Sequence, residues 1–168
     1  MNPQIEAVFD DADNRYLKPE ELGLISQYTQ SISARLETYQ SLRDYELEIM
    51  QWAADQLQIE MPTEAVENLE RSIKNGLLML RCCAMAMLAN DQGLIRDRFL
   101  VWASSMTTVY GSQRIDTALY SLINQRLNQV LGIERMRLLM PMLAYAQDAL
   151  PTTLSQPAPK ENGIAIGW

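Results

Sequence analysis

From Leu24 to Met61 the chain contains neither glycine nor proline. So long a stretch without a backbone breaker settles into helix if its apolar residues keep helical spacing, and these do. Leu22, Ile25, Tyr28, Ile32, Leu36 and Tyr39 succeed one another in steps of three and four, the pattern of an amphipathic helix. Pro19 suits the first helical position, and Glu20 and Glu21 suit the positive end of the helix dipole. The polar run Arg43-Asp44-Tyr45-Glu46 predicts a bend, and a second helical run covers Leu47 to Ile59 with Ile49, Met50, Ala53 and Leu57 inward. Met61-Pro62-Thr63 is expected to close this run and cap the next helix.

The next segment, Ala65 to Ala89, is apolar nearly all round from Leu77 onward, which marks a central helix enclosed by others. It ends at an Asn-Asp-Gln-Gly turn, Asn90 to Gly93. Further amphipathic helices are predicted over Leu94–Tyr110, ended by Gly111, over Ile115–Leu131, ended by Gly132, and over Ile133–Leu150, kinked at Pro141. A short amphipathic piece with Ile5, Val8 and Phe9 precedes them and needs a packing partner to persist. No stretch alternates as a strand does. The expected fold is therefore all-α, one domain over residues 1–150, and Pro151, Pro157 and Pro159 mark residues 151–168 as a flexible tail that turns apolar toward Trp168.

Composition narrows the function classes. The chain has 168 residues, 14 Lys+Arg and 21 Asp+Glu, a net charge of −7 that opposes general nucleic-acid binding and docking on anionic lipid. No uncharged apolar run reaches the length of a membrane span, and the acidic N-terminus lacks a signal pattern, so a cytoplasmic protein without membrane insertion is expected. There is no histidine, which removes Ser-His-Asp and Cys-His catalysis, His-ligated zinc and a proximal haem ligand. No glycine-rich phosphate loop occurs. Cys82 and Cys83 are sequence neighbours on a predicted helix, point to different faces, and read as reduced core thiols. The ten methionines read as core filling, Trp52 and Trp102 as core or interface, and Asp10, Asp11 and Asp13 as helix-end partners rather than metal ligands.

Two motifs at a fixed separation add a resemblance. DADNRYLKPEEL at Asp11 to Leu22, together with LRCCAMAMLAND at Leu80 to Asp91 and Ser72-Ile73-Lys74-Asn75, whose Ser72 lies ten residues ahead of Cys82, resembles the phycobiliproteins, most closely the allophycocyanin type. The resemblance implies a globin-like bundle with an added N-terminal helical pair that docks onto a second subunit. It implies an interface built on Asp11 and Arg81 as reciprocal ion-pair partners, with Arg15 and Tyr16 beside them. It implies a phycobiliprotein subunit, or the chain itself, as partner, and a place in the cytoplasm, with the thylakoid surface beside phycobilisomes as the narrower location.

In that family a Cys-Leu-Arg-Asp run stands where Ser72 to Asn75 stand here. The Cys carries a linear tetrapyrrole through a thioether, and the Arg and Asp clasp it. Ser72 is a far weaker nucleophile than a thiolate, Lys74 lacks the planar fork of Arg, and Asn75 lacks the carboxylate that pairs with pyrrole N–H groups. The stretch from Pro62 to Ser72 is also shorter than in pigmented members. The expectation is a chain without bilin or other cofactor, not an enzyme, that acts as a structural, assembly or regulatory interaction protein of the light-harvesting system. The alternatives are a light-harvesting subunit that holds bilin by another route, and a small-molecule carrier using a globin-like cavity.

Overall fold

The computed structural model describes residues 2–150, and the tail expected at 151–168, with Trp168, lies outside them. Among the described residues six helices occur in chain order: α1 (Pro3–Asp11), α2 (Pro19–Glu60), α3 (Val66–Ala89), α4 (Gly93–Ile95), α5 (Val101–Tyr110) and α6 (Gln113–Asp148). A π-helical turn, Arg96–Leu100, joins α4 to α5. No strand occurs among the described residues. The core lies where α2, α3 and α6 pack on one another.

Helix α2 runs unbroken through Arg43–Glu46, where the polar run predicts a bend. The reason is visible in burial: Leu42, Ile49 and Met50 are buried while Arg43, Asp44 and Tyr45 are exposed, so the polar run is the solvent face of one continuous helix. Pro19 sits in the first turn with Glu20 and Glu21, as the sequence indicates. The loop to α3 is tied down by buried Met61, but Thr63 does not cap α3, whose start at Val66 has no side-chain cap.

Helix α3 is the central helix. By length and mean hydropathy alone it could cross a bilayer, but Ser72, Gly76, Met79, Leu80, Cys83 and Met87 are buried in the bundle. Those positions recur at helical spacing and form one inward face. The helix ends at Asn90, whose backbone is left-handed (φ 53°), with Asp91 N–H donating back to Ala86 O at 2.9 Å. Asn tolerates this conformation better than most residues.

The segment expected as one helix from Leu94 to Tyr110 holds the π turn instead, and ends as expected at left-handed Gly111. Within α6, Gly132 has φ 75° and ψ 170°, so the helix consists of two arms. The arms lie side by side, since Asn124 and Gln147 exchange side-chain hydrogen bonds of 3.1 and 3.3 Å. Pro141 stands on the exposed side of the second arm.

The short N-terminal helix α1 buries Ile5 and Val8 and leaves Phe9 half exposed. Asn2 caps it and also donates to the carbonyl of Asn90 at 2.6 Å. Arg35, the first buried residue of α2, donates to the carbonyls of Leu88 and Tyr28 and to Ser31 Oγ, with its guanidinium 4.7 Å from the Tyr28 ring. A cation at the negative end of α3 is favourable, and the carbonyls take the place of a carboxylate.

The pair of angles at Gly132 belongs to a region essentially reserved for glycine, and a side chain there costs about 1–3 kcal/mol. Gly132→Ala is expected to lower stability by about that amount in urea denaturation. Gly23→Ala, in the middle of a helical turn with nothing near the added methyl, is expected to raise it by about 0.4–1 kcal/mol.

Candidate functional site

Two groups of residues were singled out in the sequence, one within α3 and one shared between the α1–α2 region and α3. The first is Ser72-Ile73-Lys74-Asn75 in the second turn of α3. Ser72 is fully buried, and its hydroxyl has no hydrogen-bond partner. Gly76, one turn on and on the same face, explains the burial. A Cβ at Gly76 would stand 2.9 Å from Leu119 Cδ2 and 3.3 Å from Ile123 Cδ1, so α3 and the first arm of α6 are in close contact there. Ser72 thus faces the packed seam between two helices. Lys74 is exposed and Asn75 half-buried, so the three residues meet different surroundings. Beside them the Arg71 guanidinium lies 4.0 Å from the Tyr110 ring at the end of α5.

The second group comprises Asp11, Arg15, Tyr16 and Arg81. Asp11 is exposed at the end of α1. Arg15 and Tyr16 lie in the α1–α2 loop. Arg15 forms a two-pronged ion pair with Glu21, at 2.7 and 2.8 Å, and Glu21 also accepts from the backbone N–H of Lys18 at 2.7 Å. These bonds fix the loop on the first turn of α2. The Glu21 partner raises the Arg15 pKa, and the field of Asp11 adds to it. Tyr16 is 98% exposed, unusual for so large an aromatic.

Arg81 does not meet Asp11 within the chain. Its guanidinium grips Glu46 of α2, with Nε to Oε2 at 2.8 Å and Nη2 to Oε1 at 2.5 Å, and this pairing raises its pKa. The pair stands on the rim of a groove of about 310 Å³ between α2 and α3, lined by Tyr39, Leu42, Arg43, Leu80, Ala84 and Met85. Sequence reasoning missed Glu46 because its partner is 35 residues away. The only trace in the sequence is that Tyr39, Leu42 and Glu46 share one helical face. Glu21 could have been anticipated, since an acid three residues after a helix start commonly reaches back to the cap backbone.

The cysteines behave differently from each other. Cys83 is buried, its thiol lies 3.5 Å from the Met142 carbonyl, and burial pushes its pKa up to about 12. Cys82 is half-buried, and burial raises it too, against the opposing field of Arg98. Among the described residues no three of His, Cys, Asp or Glu gather as metal ligands.

A helical bundle with a protruding N-terminal helix pair is the architecture of globin-like light-harvesting proteins, and a comparison with protein families agrees. The model of the phycobilisome protein family matches residues 8–150, and the chain belongs to that family. No curated protein matches the chain.

The Glu21 carboxyl is held at about 2, first by the Arg15 hydrogen bond and then by the Lys18 backbone N–H, against an ordinary value of 4.5. A lowered carboxyl stabilises the fold fully above its ordinary value and loses that contribution as pH falls through the lowered one. Carboxyl titration by NMR should therefore place Glu21 near 2, and Arg15→Ala should return it toward 4.5. A midpoint near 4.5 in the parent chain would show that the loop is not tied as described.

Proposed function

We propose that this phycobilisome-family protein carries no covalently attached bilin and works as a non-catalytic interaction protein of the light-harvesting system. The role lies in structure, assembly or regulation, through pairing with a phycobilisome subunit or with itself. The coarser statement, a role connected with light harvesting, comes from family membership. The finer one rests on a single observation. Ser72, at the position of the pigment-bearing Cys, is a hydroxyl buried in the α3–α6 seam and left without a partner.

The residues present do not suit thioether attachment. A serine hydroxyl at neutral pH does not add to a vinyl group as a thiolate does. Lys74 lacks the planar fork, and Asn75 the carboxylate, that would clasp a pigment beside Ser72. Gly76 brings α6 so close that a pigment there would have to part the two helices.

Support for pairing comes from what the N-terminal region leaves uncovered. Phe9, Tyr16, Leu22, Leu24, Ile32 and Leu36 are all at least 42% exposed. Exposed apolar residues in such number on one region mark an interaction surface. Tyrosine is among the residues that most often anchor interfaces, and Tyr16 stands beside Asp11 and Arg15.

The direct test is expression in a host that makes phycocyanobilin, with zinc-induced fluorescence read on a denaturing gel. No covalent band is expected. Ser72→Cys combined with Asn75→Asp is expected to remain poorly labelled, because the seam at Gly76 stays closed. A strong band from the parent chain would defeat the proposal and favour a pigmented subunit.

A further inference from the structure

We infer that residues 163–168 dock in the groove between α2 and α3 of their own chain, with Trp168 as the anchor. The inference is independent of the pairing role and of the pigment position.

The groove has an apolar lining and a charged rim. Leu42 of α2 and Leu80 and Ala84 of α3 are buried within its lining, while Met85 is 37% exposed. Arg81 and Glu46 join the two helices through a two-pronged bond, so the groove is bridged at its rim without being filled. Its volume of about 310 Å³ is at the small end of hollows that enclose a ligand. Covering an apolar lining that faces water is favourable.

The sequence supplies an occupant. Residues 163–168 read Gly-Ile-Ala-Ile-Gly-Trp and lie outside the described residues. An extended backbone puts Ile164, Ile166 and Trp168 on one side and Gly163, Ala165 and Gly167 on the other. One side offers bulk to a groove, and the other offers almost none. Tryptophan is among the residues that most often anchor such contacts. Glu161, just ahead of the apolar run, suits the rim. Arg43 holds Asp44, and Arg81 holds Glu46, each through Nε and Nη2, which leaves the Nη1 edge of both for a further carboxylate.

The groove is within reach. The Cys83 thiol lies 3.5 Å from the Met142 carbonyl, so the second arm of α6 passes against α3 beside Ala84. From Met142 to Leu150 the helix climbs about 12 Å, and α3 itself is about 10–12 Å across. Residues 151–162 can span up to about 40 Å at about 3.3 Å each. The larger hollow between α2 and α6, about 450 Å³, is a poorer host. Glu37, Glu134, Arg135 and Arg137 line it, and an apolar segment there would strip them of water.

The full chain has three tryptophans, so subtracting the emission of Trp168→Phe from that of the parent chain isolates Trp168. Its emission is expected to be blue-shifted, and its quenching by acrylamide about fivefold weaker than that of free tryptophan, as for an anchor excluded from water. Met85→Glu, at an exposed position in the lining, is expected to return both toward the values of free tryptophan while the circular dichroism of the helices is unchanged. Ile166→Asp, beyond the helical bundle, is expected to have the same effect. Val101→Glu, 71% exposed on α5, is expected to leave both as in the parent chain. A parent Trp168 that emits and quenches like free tryptophan, or shielding that survives both Met85→Glu and Ile166→Asp, would overturn the inference. Shielding lost on wide dilution would also overturn it, by assigning the segment to the groove of a second copy.

Discussion

At Gly76 the backbone of α3 comes so near the first arm of α6 that any side chain there would collide with Leu119. The rest of the structure depends on this contact. It sets the depth at which α3 sits, and so the burial of Ser72 before it and of Met79, Leu80 and Cys83 after it. Residues four apart on a helix share a face, so a close approach at Gly76 determines what Ser72 faces. The position that the resemblance matches to the pigment-bearing Cys is here part of a helix–helix seam. Its hydroxyl is buried and unpaired, at a cost on the order of 1–3 kcal/mol for such a group, which the surrounding packing offsets.

The C-terminal end of α3 is held by polar contacts. Arg35 and Asn2 both donate to carbonyls there, Arg35 from α2 and Asn2 from ahead of α1. These bonds join the projecting N-terminal region to the bundle without covering its outer face. The result is an arm tied to the bundle with Leu22, Leu24, Ile32 and Leu36 exposed along it. Arg15 and Glu21 complete the arm by fixing the α1–α2 loop. Structure is thus concentrated where pairing is proposed, and Ser72 is buried in the bundle.

The helices were legible in the sequence because their apolar residues recur at a period of 3.6, and because Asn90, Gly111 and Gly132 sit where the backbone needs unusual angles. The false bend at Arg43–Glu46 shows the limit of that reading. A polar run looks like a break until one knows that the residues on either side keep the same inward register. The π turn at Arg96–Leu100 carries no signal in residue type. At the candidate sites, Ser72, Lys74 and Asn75 stood out only through the resemblance to the phycobiliproteins, against which their chemistry could be compared. The burial of Ser72 was not readable, since it depends on packing between helices far apart along the chain, as at Gly76 one turn on, against Leu119 and Ile123. The Arg81–Glu46 pair was hidden for the same reason, and buried Arg35 went unnoticed because a lone Arg in a polar stretch reads as solvent-facing.

Ser72 is buried with its hydroxyl unpartnered, and the proposal is that no pigment is attached there. Visible absorbance of the protein purified from phycobilin-making cells, read against its protein absorbance and its intact mass, tests that proposal most directly. A colourless protein whose mass equals that of the unmodified chain is expected. A stoichiometric bilin band, whether accompanied by added mass or lost on denaturation, would contradict it.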